Sequence, residues 1–349
     1  MLHHLAALVE AESPTSDVDA CALCADVLSA IGTELLGVAP ERIDGSVLWR
    51  FGGPTRVLLV GHLDTVWPLG TLAELPFTVV DDRATGPGVF DMKAGLVQGL
   101  HALASLDDRD GVTFLVTSDE ETGSLRSRGL IEAEAKGALA ALVLEPSADG
   151  ALKTARKGVG MYRIEVRGRA SHAGLEPEKG VNALLELAHQ VLALEGIAAA
   201  DVGTTVTPTV ASAGTATNVV PEEGIVDVDV RCATPEEQQR VDAAMHALTA
   251  VVPDAVLTVR GGPNRPPLPA SSSWALFARA LRIDPTLRGV EVGGGSDGNF
   301  TAGVGTPTLD GLGAVGAGAH GRDEWTDVSM MRPRADLLAA LVHDVLSEG

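Results

Sequence analysis

The chain has 349 residues, 45% of them apolar, with a mean hydropathy of +0.19 and a net charge of -21 at pH 7. That length points to about two domains, and the hydropathy is too high for a disordered chain. No run approaches the roughly 20 uninterrupted apolar residues of a membrane helix, and the acidic surplus repels phosphate backbones, which argues against a nucleic-acid partner or a nuclease.

The first stretch, "MLHHLAALVEAESP", has no basic segment followed by a pure apolar core and a small-residue cleavage site, so a cytoplasmic protein is expected. Cys21 and Cys24 then form a CxxC inside "DVDACALCADVLSAIG". Both positions fit the apolar face of a helix, and three cysteines with Cys232 are too few for a disulfide framework, so a core role is expected. Three β-rich runs follow, "TRVLLVGHLD", "VTFLVTSDEE" and "LAALVLEPS", with the helix-like "DMKAGLVQGLHALASL" between the first two; a fourth run, "VGTPTLDGLG", comes near the C-terminus. Continuous apolar strands alternating with helices predict an α/β domain whose mostly parallel sheet carries helices on both faces. Ligands gather at the carboxyl ends of such strands, where these runs turn polar.

From about Gly158 to Arg265 the rhythm changes. The strand "MYRIEVRG", the helix "GVNALLELAHQVLALEG", the strands "TTVTPTVASAG" and "EGIVDVDVRC", the helix "PEEQQRVDAAMHALTAVV" and the strand "AVLTVRG" follow in order. This βαββαβ order predicts a ferredoxin-like α+β domain. The expected organisation is a catalytic domain over 1–157 and 266–349, interrupted by a lid domain over 158–265.

Five segments offer histidine or carboxylate at strand ends or the adjoining loops. In "GHLDTV", His62 and Asp64 share a face about 6 to 7 Å apart, and a carboxylate behind a histidine can orient its ring for a metal. Asp91 in "GPGVFDMKAG" reads alone as a helix N-cap, Glu120 and Glu121 in "SDEETGS" as a solvated acidic loop, Glu145 in "LVLEPS" as a strand end, and His320 in "GAGAHGRDEWTD" as a surface histidine. Together they make a cluster of imidazoles and carboxylates without cysteine, which suits zinc or a similar divalent ion. Asp91, Glu121 and Glu145 would leave the cluster anionic around one divalent ion and slightly cationic around two, which favours two.

The motifs "GHLDTV", "GPGVFDMKAG", "SDEETGS", "LEPS", "RASHAG", "NVVPEEGIVDVDVR", "GGGSDGNF" and "AHGRDEW" stand in the order and spacing of the co-catalytic zinc metallopeptidase family. That family holds glutamate carboxypeptidase, acetylornithine deacetylase, succinyl-diaminopimelate desuccinylase and aminoacylase. The chain resembles it from about residue 55 to the C-terminus, and "GVGMYRIEVRGRASHAGLEPEKGVNAL" looks most like the glutamate carboxypeptidase branch. The resemblance implies that Asp91 bridges two zinc ions, with His62 and Glu145 completing one site and Glu121 and His320 the other. Cobalt or manganese would be able to replace the zinc. It also implies that Asp64 supports His62, that the Asp91–Met92 peptide is cis, and that Glu120 is the general base and acid. Met92 departs from many relatives, which carry a second aspartate there, but that position is not a ligand.

In the inserted domain, His172 of "RASHAG" matches a residue that donates to the oxyanion, reaching into a partner's active site in the family's dimers. Asn218 and Arg231 match residues that hold the substrate carboxylate or the oxyanion. Arg265 is a further candidate carboxylate clamp, and Gly294 within "GGGSDGNF" is expected to line the substrate cleft. A homodimer through the lid domain is therefore expected.

Mechanistically, two divalent ions acidify a water and polarise the scissile carbonyl, while a carboxylate must carry the water's proton to the departing nitrogen. Neighbouring residues of an extended segment point to opposite faces, which would let Glu121 hold metal while Glu120 faces the water. The expected reaction is cleavage of an amide beside a free carboxylate in a small peptide or N-acyl amino acid. It is either a glutamate-carboxypeptidase-like peptidase or an N-acyl-amino-acid deacylase. A non-catalytic binding protein on the same fold would have lost a ligand or the base, and every one of these positions is filled.

Overall fold

The computed structural model describes residues 1–348, which divide into two compact units, 1–156 with 268–348, and Lys157–Pro267. The boundaries fall at Lys157 and Pro267 rather than at 158 and 265.

The first unit opens with α1 (Leu2–Glu10) and α2 (Val18–Leu36). The carboxylate of Asp17 accepts the amides of Asp19 and Ala20 at the start of α2, as an N-cap should. Cys21 and Cys24 lie buried as free thiols on the inner face of α2, and Cys232 is buried in the other unit. Then come β1 (Glu41–Ile43), β2 (Ser46–Phe51), β3 (Val57–His62), α3 (Ala94–Ala104), β4 (Val112–Thr117), α4 (Arg128–Ala135), β5 (Ala140–Val143) and β6 (Leu152–Arg156).

The inserted unit runs β7 (Gly158–Arg167), α5 (Ala183–Leu194), β8 (Thr205–Ala213), β9 (Glu223–Cys232), α6 (Pro235–His246) and β10 (Val256–Arg265). Its antiparallel sheet has the order β8-β9-β7-β10, the arrangement that the βαββαβ pattern calls for. Tyr162, Ile164 and Val166 alternate inward with Val226, Val228 and Val230, and Leu187, Val241 and Met245 from the helices cover them. Pro208 sits beside a bulge on β8, an edge position where its missing N–H leaves no gap in the ladder. Helix α6 ends at His246 rather than continuing through Val252. The buried carboxylate of Glu186 captures the amides of Val251 and Val252 at 2.9 and 2.6 Å, pulling that segment out of helical hydrogen bonding.

The chain returns to the first unit with α7 (Ala270–Ile283), β11 (Gly289–Val292), α8 (Gly298–Gly303), β12 (Thr308–Leu309) and α9 (Met331–Glu348). The central sheet has the order β1-β2-β4-β3-β5-β12, parallel from β4 to β12 and antiparallel at β1 and β2. β3 is buried along its whole length because both faces are covered. Val57 and Leu59 pack into a core shared with α1, α2, α3 and α9, whereas Leu58 and Val60 pack towards Ile131 of α4 and Phe300 of α8. Fully burying each such side chain stabilises the unit by about 1.5 to 3 kcal/mol.

β4, β3 and β5 end side by side, with His62 opposite Thr117. Two glycines allow the chain to close around the end of β5: a Cβ on Gly95 would lie 2.2 Å from the Leu144 carbonyl oxygen, and one on Gly313 would lie 2.1 Å from it. The glycine of "DMKAG" is thus required by close packing one residue before Glu145.

Candidate metal centre

His62 closes β3, and its ring is 1% exposed. Its Nδ1 lies 2.9 Å from the Asp64 carbonyl oxygen, which can only accept. A ring proton therefore sits on Nδ1, and Nε2 is the nitrogen turned towards Asp91 Oδ1 at 3.4 Å and Glu145 Oε1 at 3.6 Å.

Asp64 is wholly buried and does more than support His62. Its Oδ2 accepts from Thr15 Oγ1 at 2.7 Å and the Glu121 amide at 3.2 Å, and its Oδ1 accepts from the Glu120 amide at 3.3 Å. Asp64 thus holds the histidine on β3 through its carbonyl and the acidic pair after β4 through its carboxylate.

That pair is not extended. Glu120–Thr122 form a single tight helical turn closed by Gly123 at φ 93°, so successive side chains diverge by about a third of a turn rather than to opposite faces. The separation of the two carboxylates survives with a different cause. Glu121 Oε1 meets His320 Nε2 at 3.0 Å. Glu120, 8% exposed, groups instead with His62 and Glu145, one ligand atom of each lying within 4.8 Å of the others. The loop is held from below: Asp119 Oδ2 accepts the Arg126 amide at 2.7 Å, and Ser124 donates to Asp297.

Asp91 lies in a turn, Val89–Lys93, ahead of α3 and does not cap it; its own φ and ψ are -113° and 94°. The Asp91–Met92 peptide is cis. The two Asp91 oxygens face two histidines, Oδ1 towards His62 at 3.4 Å and Oδ2 towards His320 Nε2 at 3.4 Å. Oδ1 is buried yet accepts no hydrogen bond. A buried anionic oxygen without a donor is costly unless a cation meets it, so the donor set fits a metal ion among His62, Asp91 and Glu121. His320 stands in the left-handed region at φ 64° on a half-exposed loop.

The charges agree with this fit. Donating hydrogen bonds to the carboxylates of Asp91 and Glu121 lifts His320 to about 10. Burial opposes charge on His62, but Asp64, Asp91 and Glu145 hold its pKa well above the ordinary histidine value. Burial likewise opposes ionisation of Asp91, yet His320 and His62 hold it well below the usual carboxylate range, while burial pushes Glu121 up. Without metal, the imidazoles retain protons that a divalent ion would displace.

Two residues that carry the site have no signal of their own in the sequence. Glu324, 3% exposed, accepts the amides of Gly88, Phe90 and Asp91 at 3.0, 2.9 and 3.0 Å and the Trp67 indole N–H at 2.9 Å, so it shapes the turn bearing Asp91. It lies inside "AHGRDEW", where only His320 has ligand chemistry to reveal it. Arg156, at the end of β6, touches Glu145 Oε2 at 3.3 Å. The carbonyl of Gly294 accepts from Arg156 Nη1 at 3.0 Å, which ties the glycine loop to the end of β6.

The remaining candidates lie in the inserted unit. His172 Nδ1 accepts the amides of Gly174 and Leu175, both at 3.1 Å, which leaves Nε2 carrying the proton as an outward donor. The Ala173 amide donates to the Asn218 carbonyl at 2.9 Å, holding His172 beside Asn218. Arg231 commits Nε and Nη2 to Asp229 at 2.8 Å each. Arg265, 7% exposed, closes β10, and its carbonyl accepts from Gln238.

Residues 58–344 match the family model for peptidase family M20/M25/M40, and the chain belongs to that family. It is 34% identical to carboxypeptidase G2 of Pseudomonas sp. (strain RS-16), over 97% of this chain and 87% of that protein. It is 31% identical to a succinyl-diaminopimelate desuccinylase of Leptothrix cholodnii, over 97% of each. Among solved structures, an M20 family metallo-carboxypeptidase from Sulfolobus solfataricus superposes with a TM-score of 0.72 at 17% identity, covering 98% of both chains. A tripeptidase from Staphylococcus aureus gives 0.76 at 21%, covering 99% of this chain and 98% of that one. The chain is a hydrolase of the metal-dependent M20 type, of the glutamate carboxypeptidase or deacylase kind. Among the described residues no helix is long and apolar enough to cross a membrane.

Proposed function

We propose that this protein is a two-zinc carboxypeptidase that releases a C-terminal amino acid, glutamate foremost, by hydrolysing the amide beside its free carboxylate. His62, Asp91 and Glu145 would hold one ion, and Asp91, Glu121 and His320 the other. When bound, the ions supply Lewis acidity for the scissile carbonyl and lower the pKa of a water. Glu120 would take a proton from the attacking water and deliver it to the leaving nitrogen. Asp64 holds the amides of Glu120 and Glu121 so that their carboxylates stay apart. His172 Nε2–H is the donor for the developing oxyanion, Asn218 and Arg265 serve the substrate carboxylate, and Arg231 contributes less because Asp229 occupies it.

The observation that carries this reading is the asymmetry of the acidic pair: Glu121 meets His320 at 3.0 Å and groups with His62 and Asp91, whereas Glu120 groups with His62 and Glu145. Metal analysis and hydrolysis assays on Glu120→Ala and Glu121→Ala test it. Glu120→Ala should keep its metal and lose rate by about 10²- to 10⁴-fold, and Glu121→Ala should lose metal. Full activity in Glu120→Ala would sink the assignment.

The desuccinylase relative supports deacylation of N-acyl amino acids as the second reading. A screen of C-terminal dipeptides and folate-type glutamate conjugates against N-acyl amino acids separates the two. The protein would act as a homodimer through the inserted unit, where β8 is an open sheet edge and Leu184, Leu185 and Leu192 are exposed on α5.

A further inference from the structure

We propose that Arg156 is a positioning residue that restricts Glu145 to a single ligating oxygen and fastens that carboxylate to the glycine loop before α8. The side chain is 4% exposed, so its charge must be met inside the protein. A guanidinium has five N–H donors in a rigid fork, and the contacts account for all five. Nε and Nη2 grip Asp310 at 2.8 Å each, and the second Nη2 hydrogen reaches Glu145 Oε2 at 3.3 Å. Nη1 donates to the carbonyls of Gly294 and Gly295 at 3.0 and 3.1 Å. No donor is left for a substrate, so Arg156 acts through Glu145 and the loop.

The consequence falls on Glu145. Its Oε1 points to the His62 side of the cluster, 3.6 Å from Nε2, while Oε2 is held by Arg156. A carboxylate can bind a cation through one oxygen or both. Here the second oxygen accepts from Arg156, which disfavours its turning to the same cation and would keep one coordination position open for water or substrate, the condition that separates catalytic from closed structural sites. Asp310 makes the arrangement rigid, since its Oδ2 also accepts from Ser296 Oγ at 2.6 Å. Lysine cannot reproduce it, because a point charge cannot span two carboxylates and two carbonyls.

The inference rests on the reading of Glu145 as a metal ligand, and the test separates the two. Cobalt-substituted wild type, Arg156→Lys, Arg156→Met and Glu145→Ala are compared by bound cobalt and by visible absorption, whose intensity falls as the coordination number rises. Both Arg156 variants should keep bound cobalt but absorb more weakly as Glu145 closes on it with two oxygens. In them kcat should fall about 10- to 100-fold with KM within about threefold. Arg156→Lys keeps a cation beside Asp310 and carries the test if Arg156→Met does not fold. An unchanged spectrum in a metal-loaded Arg156 variant overturns the proposal. Wild-type cobalt content and spectrum in Glu145→Ala would overturn the ligand assignment beneath it.

Discussion

Replacing Asp64 by Asn probes the joint between β3 and the acidic turn. The substitution preserves volume in a wholly buried position but leaves one acceptor oxygen where there were two. On the Oδ2 side stand the Thr15 hydroxyl and the Glu121 amide, and on the Oδ1 side stand the Glu120 amide and, at 3.5 Å, His62 Nδ1. Thr15 can rotate its hydroxyl to donate elsewhere, but a backbone amide cannot. In either orientation the new NH₂ faces a backbone N–H, so at least one charge-assisted hydrogen bond of about 1.5 to 3 kcal/mol becomes a donor–donor contact. If about 2 kcal/mol of this appears as lost organisation of His62 and Glu121, metal affinity drops about 30-fold, within the 10- to 100-fold range for residues behind metal ligands. Competition with a chromophoric chelator measures it, and far-ultraviolet circular dichroism of the metal-free variant checks that the fold persists. A folded Asp64→Asn with wild-type metal affinity would refute the role of Asp64 as the joint.

Other outcomes follow from the same geometry. Glu324→Gln keeps one acceptor for four donors around Trp67 and the Asp91 turn, and should weaken metal binding about tenfold, measured by the same chelator competition. Because the folded pKa values of His320, about 10, and His62 are raised, protons compete with metal throughout the neutral range. Apparent affinity should therefore climb from pH 6 to pH 9, and calorimetry in buffers of different ionisation enthalpy should detect proton release on binding; a flat profile would contradict the ligand roles. Gly95→Ala forces a methyl against the Leu144 carbonyl and should cost about 1 to 3 kcal/mol, read as a lower urea midpoint. Mixing His172→Ala with Glu120→Ala protomers should restore activity to mixed dimers if His172 serves its partner's site, and no recovery after proven mixing counts against that.

By itself the sequence determined the chemistry on offer. The strand runs, the change to βαββαβ order, and the ordered motifs bearing His62, Asp91, Glu121, Glu145 and His320 all rest on local spacing, which short-range steric and hydrogen-bond rules dictate. Core burial of Cys21 and Cys24 was legible for the same reason. Only the tertiary structure decided how the ligands are held. Asp64 reaches residues 56 and 57 positions away, Glu324 reaches the turn at Asp91 across 233, and Arg156 joins Glu145 to Asp310 across 154. These partners are ordinary charged residues whose meaning depends on which strand ends the sheet order sets side by side. Even the divergence of Glu120 and Glu121, readable as alternation along an extended segment, comes from a tight turn that Asp64 and Gly123 close. A local pattern can name a donor atom, but the direction of that atom is set by long-range hydrogen bonds.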